Sequence, residues 1–366
     1  MAMDSVKTVL ALNSGSSSLK FGVYQVDGKQ VSPLLTGEAQ ALGSPEASFN
    51  VADGTSEALA EGSVAEVMKR LEKLLEDSRL PTLDAIGHRV VHGGTQLFQA
   101  CLIDADVLEQ LHQATSFAPL HTPAALAVIA EAQAHFAAIP QVACFDTGFH
   151  ADLPAVARTL PLPRLLRDQG MRRYGFHGLS CESIVRQLGD KLPKRLIIVH
   201  LGNGASVTAV RDGRSVDTSM GLTPSGGLIM GTRSGDLDPG ILIYLLRELQ
   251  MDAATLEQLI DHQSGLLGIS GVASDMRKLH EAAPDNPEAA LAVEMFCQAV
   301  RKQIAAMVAV LEGADLLVFT GGIGEHDADV RGRIRAGLAW LGMQGKVRTL
   351  PSLEDEQIAL SAALLA

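Results

Sequence analysis

The chain has 366 residues, 47% hydrophobic and only 4% aromatic, with 30 Lys and Arg against 42 Asp and Glu for a formal charge of −12. That length suits two domains, and the apolar content excludes large-scale disorder. The negative charge excludes broad binding to nucleic acid or anionic membranes, so an anionic substrate must be held by local cations.

In chain order, 9–12 reads as a strand rather than a signal peptide. Asn13-Ser14-Gly15-Ser16-Ser17-Ser18 follows as a tight turn, and Leu19 with 21–26 returns as a strand closed by Asp27-Gly28. Residues 37–62 read as a polar stretch containing Gly and Pro. Ser63-x-x-Glu66 is a capping box for a helix over 64–75 that turns Val67, Leu71 and Leu74 or Leu75 to one face. Residues 85–92 read as a buried strand entering Gly93-Gly94, 124–135 as an alanine-rich helix, and 142–145 as a strand ending at Asp146. Pro154, Pro161 and Pro163 mark 151–168 as a crossing between halves.

The second half repeats the pattern. A strand over 196–199 meets the turn Leu201-Gly202-Asn203-Gly204-Ala205-Ser206, then a strand over 207–210 and Asp212-Gly213. Phe296, Val300, Ile304, Met307 or Val308 and Leu311 recur at helical spacing, with Gly313 as the C-cap. A strand over 316–319 runs into Thr320-Gly321-Gly322-Ile323-Gly324 and a helix carrying Val330, Ile334 and Leu338, an order that suits a nucleotide. There is no Walker A motif and no G-x-G-x-x-G, which disfavours a P-loop or Rossmann site. Two glycine-rich hairpins suggest a duplicated fold that holds phosphate; the plainer reading is two ordinary hairpins with polar turns. Cys101, Cys144, Cys181 and Cys297 form no C-x-x-C pair and read as reduced thiols of a cytoplasmic protein. No window of 18 uncharged apolar residues is present, so no membrane span is expected.

Polar residues gather where loops follow strands. Arg89 lies inside an apolar run and must find an anion, either an internal carboxylate or a ligand. His88 and His92 would stand about 13 Å apart on a strand, too far to share a metal. Asp146 sits at a strand end, a common catalytic location. His177, after Arg172-Arg173-Tyr174-Gly175-Phe176, reads alone as a turn histidine or a catalyst. Residues 220–240, with six glycines around Arg233, describe a loop shaped to a ligand.

Taken together, these segments resemble the acetate kinase family, the acetate and propionate kinases of the sugar-kinase/Hsp70/actin ATPase superfamily. The resemblance runs from Val9 to about Leu341. It is carried by Asn-Ser-Gly-Ser-Ser-Ser-Leu-Lys at 13–20, Gly-His-Arg-Val-Val-His-Gly-Gly at 87–94, Pro-Leu-His-Thr-Pro at 119–123 and Phe-Asp-Thr at 145–147. Tyr-Gly-Phe-His-Gly at 174–178, His-Leu-Gly-Asn-Gly at 200–204, Gly-Thr-Arg-Ser-Gly-Asp at 231–236, Ser-Asp-Met-Arg at 274–277 and Thr-Gly-Gly-Ile-Gly-Glu at 320–325 continue it.

The resemblance implies an α/β, duplicated RNase-H-like (actin-like ATPase) fold: two domains with an interdomain cleft. One would cover 1–150, joined by the C-terminal segment from about 352 to 366, and a nucleotide-binding one 151–351. It implies a cytoplasmic homodimer that transfers phosphoryl between ATP and acetate with Mg2+, or Mn2+ in its place. Propionate or another short-chain acid is the alternative acceptor, and a carboxylate-indifferent ATPase of the same fold is the reading from another class.

Residue by residue, Asn13 matches a magnesium position and Lys20 a nucleotide position. Arg89 matches the arginine for the substrate carboxylate, and Val91, Leu120, Phe176 and Pro224 the walls around its methyl group. Asp146 matches the catalytic carboxylate, and His177 and Arg233 the transition-state stabilisers. His200, Leu201, Gly202, Asn203 and Gly204, then Asp275, Met276 and Arg277, then Gly322, Ile323, Gly324, Glu325 and His326, match the ATP loops. The family usually has Asn at His326 and Ala at Gly148, and 341–354 is shortened here. Pro351 to Ala359 resembles the family's closing segment, which puts Glu354 on the second magnesium position, with Asp355 or Glu356 as substitutes.

Overall fold

The computed structural model describes residues 6–15, 17–118, 121–342 and 345–366. The chain divides into two compact units: Met1–Ala151, Gly178–Ser183 and Leu353–Ala366 form unit 1, and Asp152–His177 and Ile184–Ser352 form unit 2.

Unit 1 carries β1 (Lys7–Ser14), β2 (Leu19–Asp27), β3 (Gln30–Gln40), β4 (Ser48–Val51), β5 (Ser56–Ala58), β6 (Ala85–Val90), β7 (Cys101–Leu102) and β8 (Gln141–Phe145) in one sheet ordered β5-β4-β3-β2-β1-β6-β8-β7. The apolar run of β1 lies at the centre, antiparallel to β2 and parallel to β6, and is buried on both faces. The predicted polar stretch 37–62 is corrected: it holds the end of β3 and the antiparallel strands β4 and β5. β5 is wholly exposed at the sheet edge, so it shows no apolar alternation to read.

Ser63 Oγ accepts from Glu66 N–H at 3.1 Å and starts the helix Val64–Asp77, which buries Val67, Met68 and Leu71. The capping box is not reciprocal. The Glu66 carboxylate reaches back to the N–H groups of Ala60, Glu61 and Gly62. The last helix, Glu354–Ala363, packs its buried Ile358, Ala359 and Ala362 on β1, β6 and β8. Gly87 permits that approach, since a β-carbon there would stand 2.6 Å from Ile358 Cγ2.

Unit 2 carries β9 (Arg195–Leu201), β10 (Ala205–Arg211), β11 (Arg214–Thr218), β12 (Leu316–Thr320) and β13 (Val347–Thr349), ordered β11-β10-β9-β12-β13. Three antiparallel strands followed by two parallel ones repeat the β3-β2-β1-β6-β8 portion of unit 1. The duplication read from two hairpins therefore extends to five strands of each sheet.

The helix Pro287–Leu311 buries Phe296, Val300, Ile304, Met307 and Leu311, as the spacing predicts. Its predicted cap is corrected: Glu312, with φ 60°, takes the left-handed position, and the Gly313 N–H returns to the Val308 carbonyl at 2.8 Å. Residues 220–238 contain no helix or strand and lead into the helix Pro239–Arg247. Among the described residues no helix is long and apolar enough to cross a membrane.

Candidate active site

In unit 2 the glycine turns border a cavity of about 800 Å3. The turn between β9 and β10 supplies Gly202 and Asn203, the helix Gly321–His326 supplies Gly322, Ile323 and His326, and the segment before 278 supplies Asp275, Met276 and Arg277. These are eight of the fourteen residues matched to ATP loops or to Lys20. Asp275 caps the helix Met276–Ala282 through the Arg277 N–H at 2.8 Å. Its carboxylate is held down to about 2, chiefly by hydrogen bonding from the Arg277 guanidinium at 2.6 Å.

Leu201 is fully buried in the core and does not line the cavity. Glu325 closes its own loop, its Oε1 accepting from the Gly321 N–H at 3.0 Å and the Ser352 N–H at 2.9 Å. His200, Gly204 and Gly324 lie in the same loops but off the cavity lining. Sequence reasoning missed Ser274, His280 and Asp327 on the cavity wall. His280 Nε2 lies 2.8 Å from Asp327 Oδ2. A helical reading of 276–282 would have found His280 one turn beyond Met276.

His177 occupies the left-handed region (φ 59°, ψ 29°) just before the helix Gly178–Leu188. A residue with a β-carbon holds that conformation only where its surroundings impose it. Its Nδ1 is 2.9 Å from Ser206 Oγ, and its ring stacks on His200 with centroids 4.1 Å apart. A β-carbon on Gly204 would stand 3.1 Å from His177 Nε2 and 3.7 Å from Arg233 Nη1, so an imidazole and a guanidinium flank one glycine. Arg233 Nη1 donates to the Pro224 carbonyl at 3.2 Å. Phe176 and Pro224 are both buried.

In unit 1, β6 and β8 are parallel neighbours, and this brings Arg89 to Asp146. Arg89 Nη2 and Nε donate to Asp146 Oδ2 at 2.6 and 2.9 Å. The sequence left Arg89 to find an internal carboxylate or a ligand; the internal partner is Asp146. Arg89 Nη1 makes longer contacts, 3.4 Å to Asn13 Oδ1 and 3.3 Å to the Ser14 carbonyl. Burial opposes the Arg89 charge, but Asp146, Glu354 and Asp355 outweigh it and raise its pKa. Asp146 is driven up by burial and by Glu354, against the pull of Arg89. Its Oδ1 is buried with no hydrogen-bond partner among the described residues.

Asn13 Nδ2 donates to Asp355 Oδ1 at 2.7 Å, and Asp355 is one of the carboxylates beside Glu354 at the start of the last helix. Lys20 faces Asn13 across β1 and β2, and it lines a smaller pocket of about 350 Å3 that includes Asp355. Val91 is buried just past β6, and Leu120 lies outside the described residues. Glu182 was not foreseen: burial pushes its carboxyl up to about 7, and Gln357 Nε2 donates to it at 3.1 Å.

Two sheets of one topology, with glycine turns walling a cavity in one unit and a buried arginine–carboxylate cluster in the other, define a kinase of the actin-like ATPase fold class. The family model described as the Acetokinase family matches residues 8–359, and the chain belongs to that family. It is 41% identical over 358 residues to the acetate kinase of Methylocella silvestris, covering 92% of this chain and 88% of that one. A propionate kinase structure from Francisella tularensis matches with a TM-score of 0.91 at 36% identity, covering 98% of this chain and all of the other. The Porphyromonas gingivalis acetate kinase structure matches with a TM-score of 0.86 at 31% identity over 98% of this chain and 99% of the other.

Proposed function

We propose that this chain transfers the γ-phosphoryl group of ATP to acetate by direct in-line displacement, reversibly, giving acetyl phosphate and ADP. Membership of the family along nearly the whole chain, with a relative named acetate kinase at 41% identity, is the observation that carries the reading. Acetate, with a pKa in the carboxylate range near ~4–5, is already ionised at neutral pH and needs no base to become a nucleophile. Asp146 therefore orients Arg89 rather than accepting a proton. Arg89 Nη1, with its long protein contacts, is the donor for the acetate carboxylate. In unit 2 the cavity takes the nucleotide, and Arg233 and His177 donate to the phosphoryl group in transfer.

Magnesium enters as part of the co-substrate MgATP. Among the described residues no three His, Cys, Asp or Glu side chains form a ready metal cage. The acidic set nonetheless fits a divalent ion: Asp146 has an unpartnered oxygen, and Glu354 raises both Asp146 and Asp355. Asn13 Oδ1 with Glu354 or Asp355 would hold it. The ion would neutralise charge on the phosphates.

Trapping of the product with hydroxylamine, with acetate, propionate and butyrate compared side by side, tests the reading. Saturable hydroxamate formation, best with acetate, is expected; ATP turnover indifferent to every carboxylate would overturn it. Propionate is the second reading, favoured by the likeness to the Francisella propionate kinase. One methylene is worth only about 1–3 kcal/mol in a hydrophobic pocket. Val91→Ala is expected to shift kcat/KM toward propionate and butyrate, and an unchanged ratio would remove Val91 from the pocket wall.

The homodimer has a physical basis in unit 2. The helix Pro239–Arg247 has no buried residue, although it carries Ile241, Ile243 and Tyr244 at 43%, 51% and 57% exposure. An apolar surface of this kind on a short helix suits a second copy of the chain. Ile243→Glu with Tyr244→Glu is expected to halve the mass seen by sedimentation; an unchanged mass would place any dimer contact elsewhere. Burial holds the Cys297 thiol up at about 12, which keeps it unreactive and accords with a cytoplasmic setting.

A further inference from the structure

We infer that Ser206 is a positioning residue for His177: its hydroxyl donates to His177 Nδ1 and holds the ring in the neutral form that carries its proton on Nε2. The inference rests on the proposal above that His177 donates to the transferring phosphoryl group.

Ser206 and His200 are directly opposed across β10 and β9, so their side chains leave the sheet on the same face. His177 lies against that pair. Its ring stacks on His200 at 4.1 Å while its Nδ1 meets Ser206 Oγ at 2.9 Å. Ser206 is 1% exposed, so bulk water does not compete for the hydroxyl. The remaining ring nitrogen, Nε2, lies beside Gly204 on the side shared with Arg233 Nη1.

A lone pair on Nε2 would repel a phosphoryl oxygen, whereas Nε2–H donates to it. Protonating the whole ring would also supply that hydrogen. Nδ1–H would then donate to Ser206 Oγ, the reverse of the inferred hydrogen bond, and the nitrogen-15 spectrum tells the two apart. In the neutral ring, the hydrogen on Nε2 comes from the choice of tautomer. Of the two neutral forms, only the one with a bare Nδ1 accepts the Ser206 hydroxyl hydrogen. The left-handed backbone at His177 fixes the ring in this place, and a single cross-strand pair supplies both its stacking surface and its hydrogen bond.

Nitrogen-15 NMR of the intact chain labelled at histidine, without substrates, reads the tautomer directly; loss of the signal in His177→Gln gives the assignment. An unprotonated Nδ1 and a protonated Nε2 are expected. Ser206→Ala is expected to lower kcat roughly tenfold to a hundredfold, the scale on which orienting partners of a functional histidine act. The KM values for acetate and ATP should stay within about twofold. Ser206→Thr, which keeps the hydroxyl, should restore most of the rate.

A protonated Nδ1 in the parent chain overturns the inference, and so does a Ser206→Ala kcat within about twofold of the parent. If Ser206→Ala does not fold, the parent spectrum decides. Because the spectrum requires no turnover, a chain with the expected tautomer that makes no acyl phosphate would overturn the proposed activity and leave the assignment of the Ser206 hydrogen bond standing.

Discussion

Arg89→Ala is expected to lower kcat for acyl phosphate formation by roughly 10²–10³, the scale of losing one preorganised donor. It should also destabilise unit 1. Asp146 is 1% exposed, and its Oδ2 takes both short hydrogen bonds from Arg89. Removing the guanidinium would leave a buried carboxylate whose other oxygen is already unpartnered, beside Glu354. Breaking such a pair costs about 3–5 kcal/mol. Two controls separate the effects. Arg89→Lys keeps a cation but not the planar fork, so it should recover stability more than rate. Arg89→Ala with Asp146→Asn removes the stranded charge and should regain stability with no regain of kcat. Thermal unfolding and initial rates measure the two quantities; a kcat loss under tenfold for Arg89→Ala would sink its assignment to the acetate carboxylate.

Arg233→Ala is expected to lower kcat by a similar roughly 10²–10³. Its Nη1 donates to the neutral carbonyl of Pro224, within an irregular loop, and a lost bond of that kind costs about 1 kcal/mol. If Arg233 acts on charge that develops during transfer, KM for ATP should change by less than about threefold while kcat falls. A raised KM with kcat unchanged would make Arg233 a ground-state nucleotide contact instead.

The hairpins around 13–18 and 201–206, the capped helix after Ser63 and the strand ending at Asp146 were legible because their signals are local. Apolar runs, small-residue turns and a Ser-x-x-Glu box each act within a few residues. Eight predicted residues line the unit 2 cavity for a related reason: the glycine turn, the short helix Gly321–His326 and the start of the helix Met276–Ala282 are each marked by short local motifs. The edge strand β5 was not legible, since it pairs only with β4 and its three exposed residues show no apolar alternation, and the alternation of β4, with Phe49 and Val51 buried, spans only four residues. Glu182 gave no signal either. Its raised pKa arises first from burial, and its hydrogen-bonding partner Gln357 lies 175 residues away.

By itself, the sequence determined the duplicated α/β plan, the family resemblance and the small set of polar residues available for chemistry, because composition, periodicity and turn residues act over short distances. The tertiary structure alone decided which of those residues meet. Parallel pairing of β6 with β8 gave Arg89 to Asp146. Packing of the last helix onto β1 gave Asn13 to Asp355. The left-handed backbone at His177 laid its ring across His200 and Ser206. Contacts of that range depend on strand register and helix docking, which are set by burial summed over a whole sheet and not by any one segment.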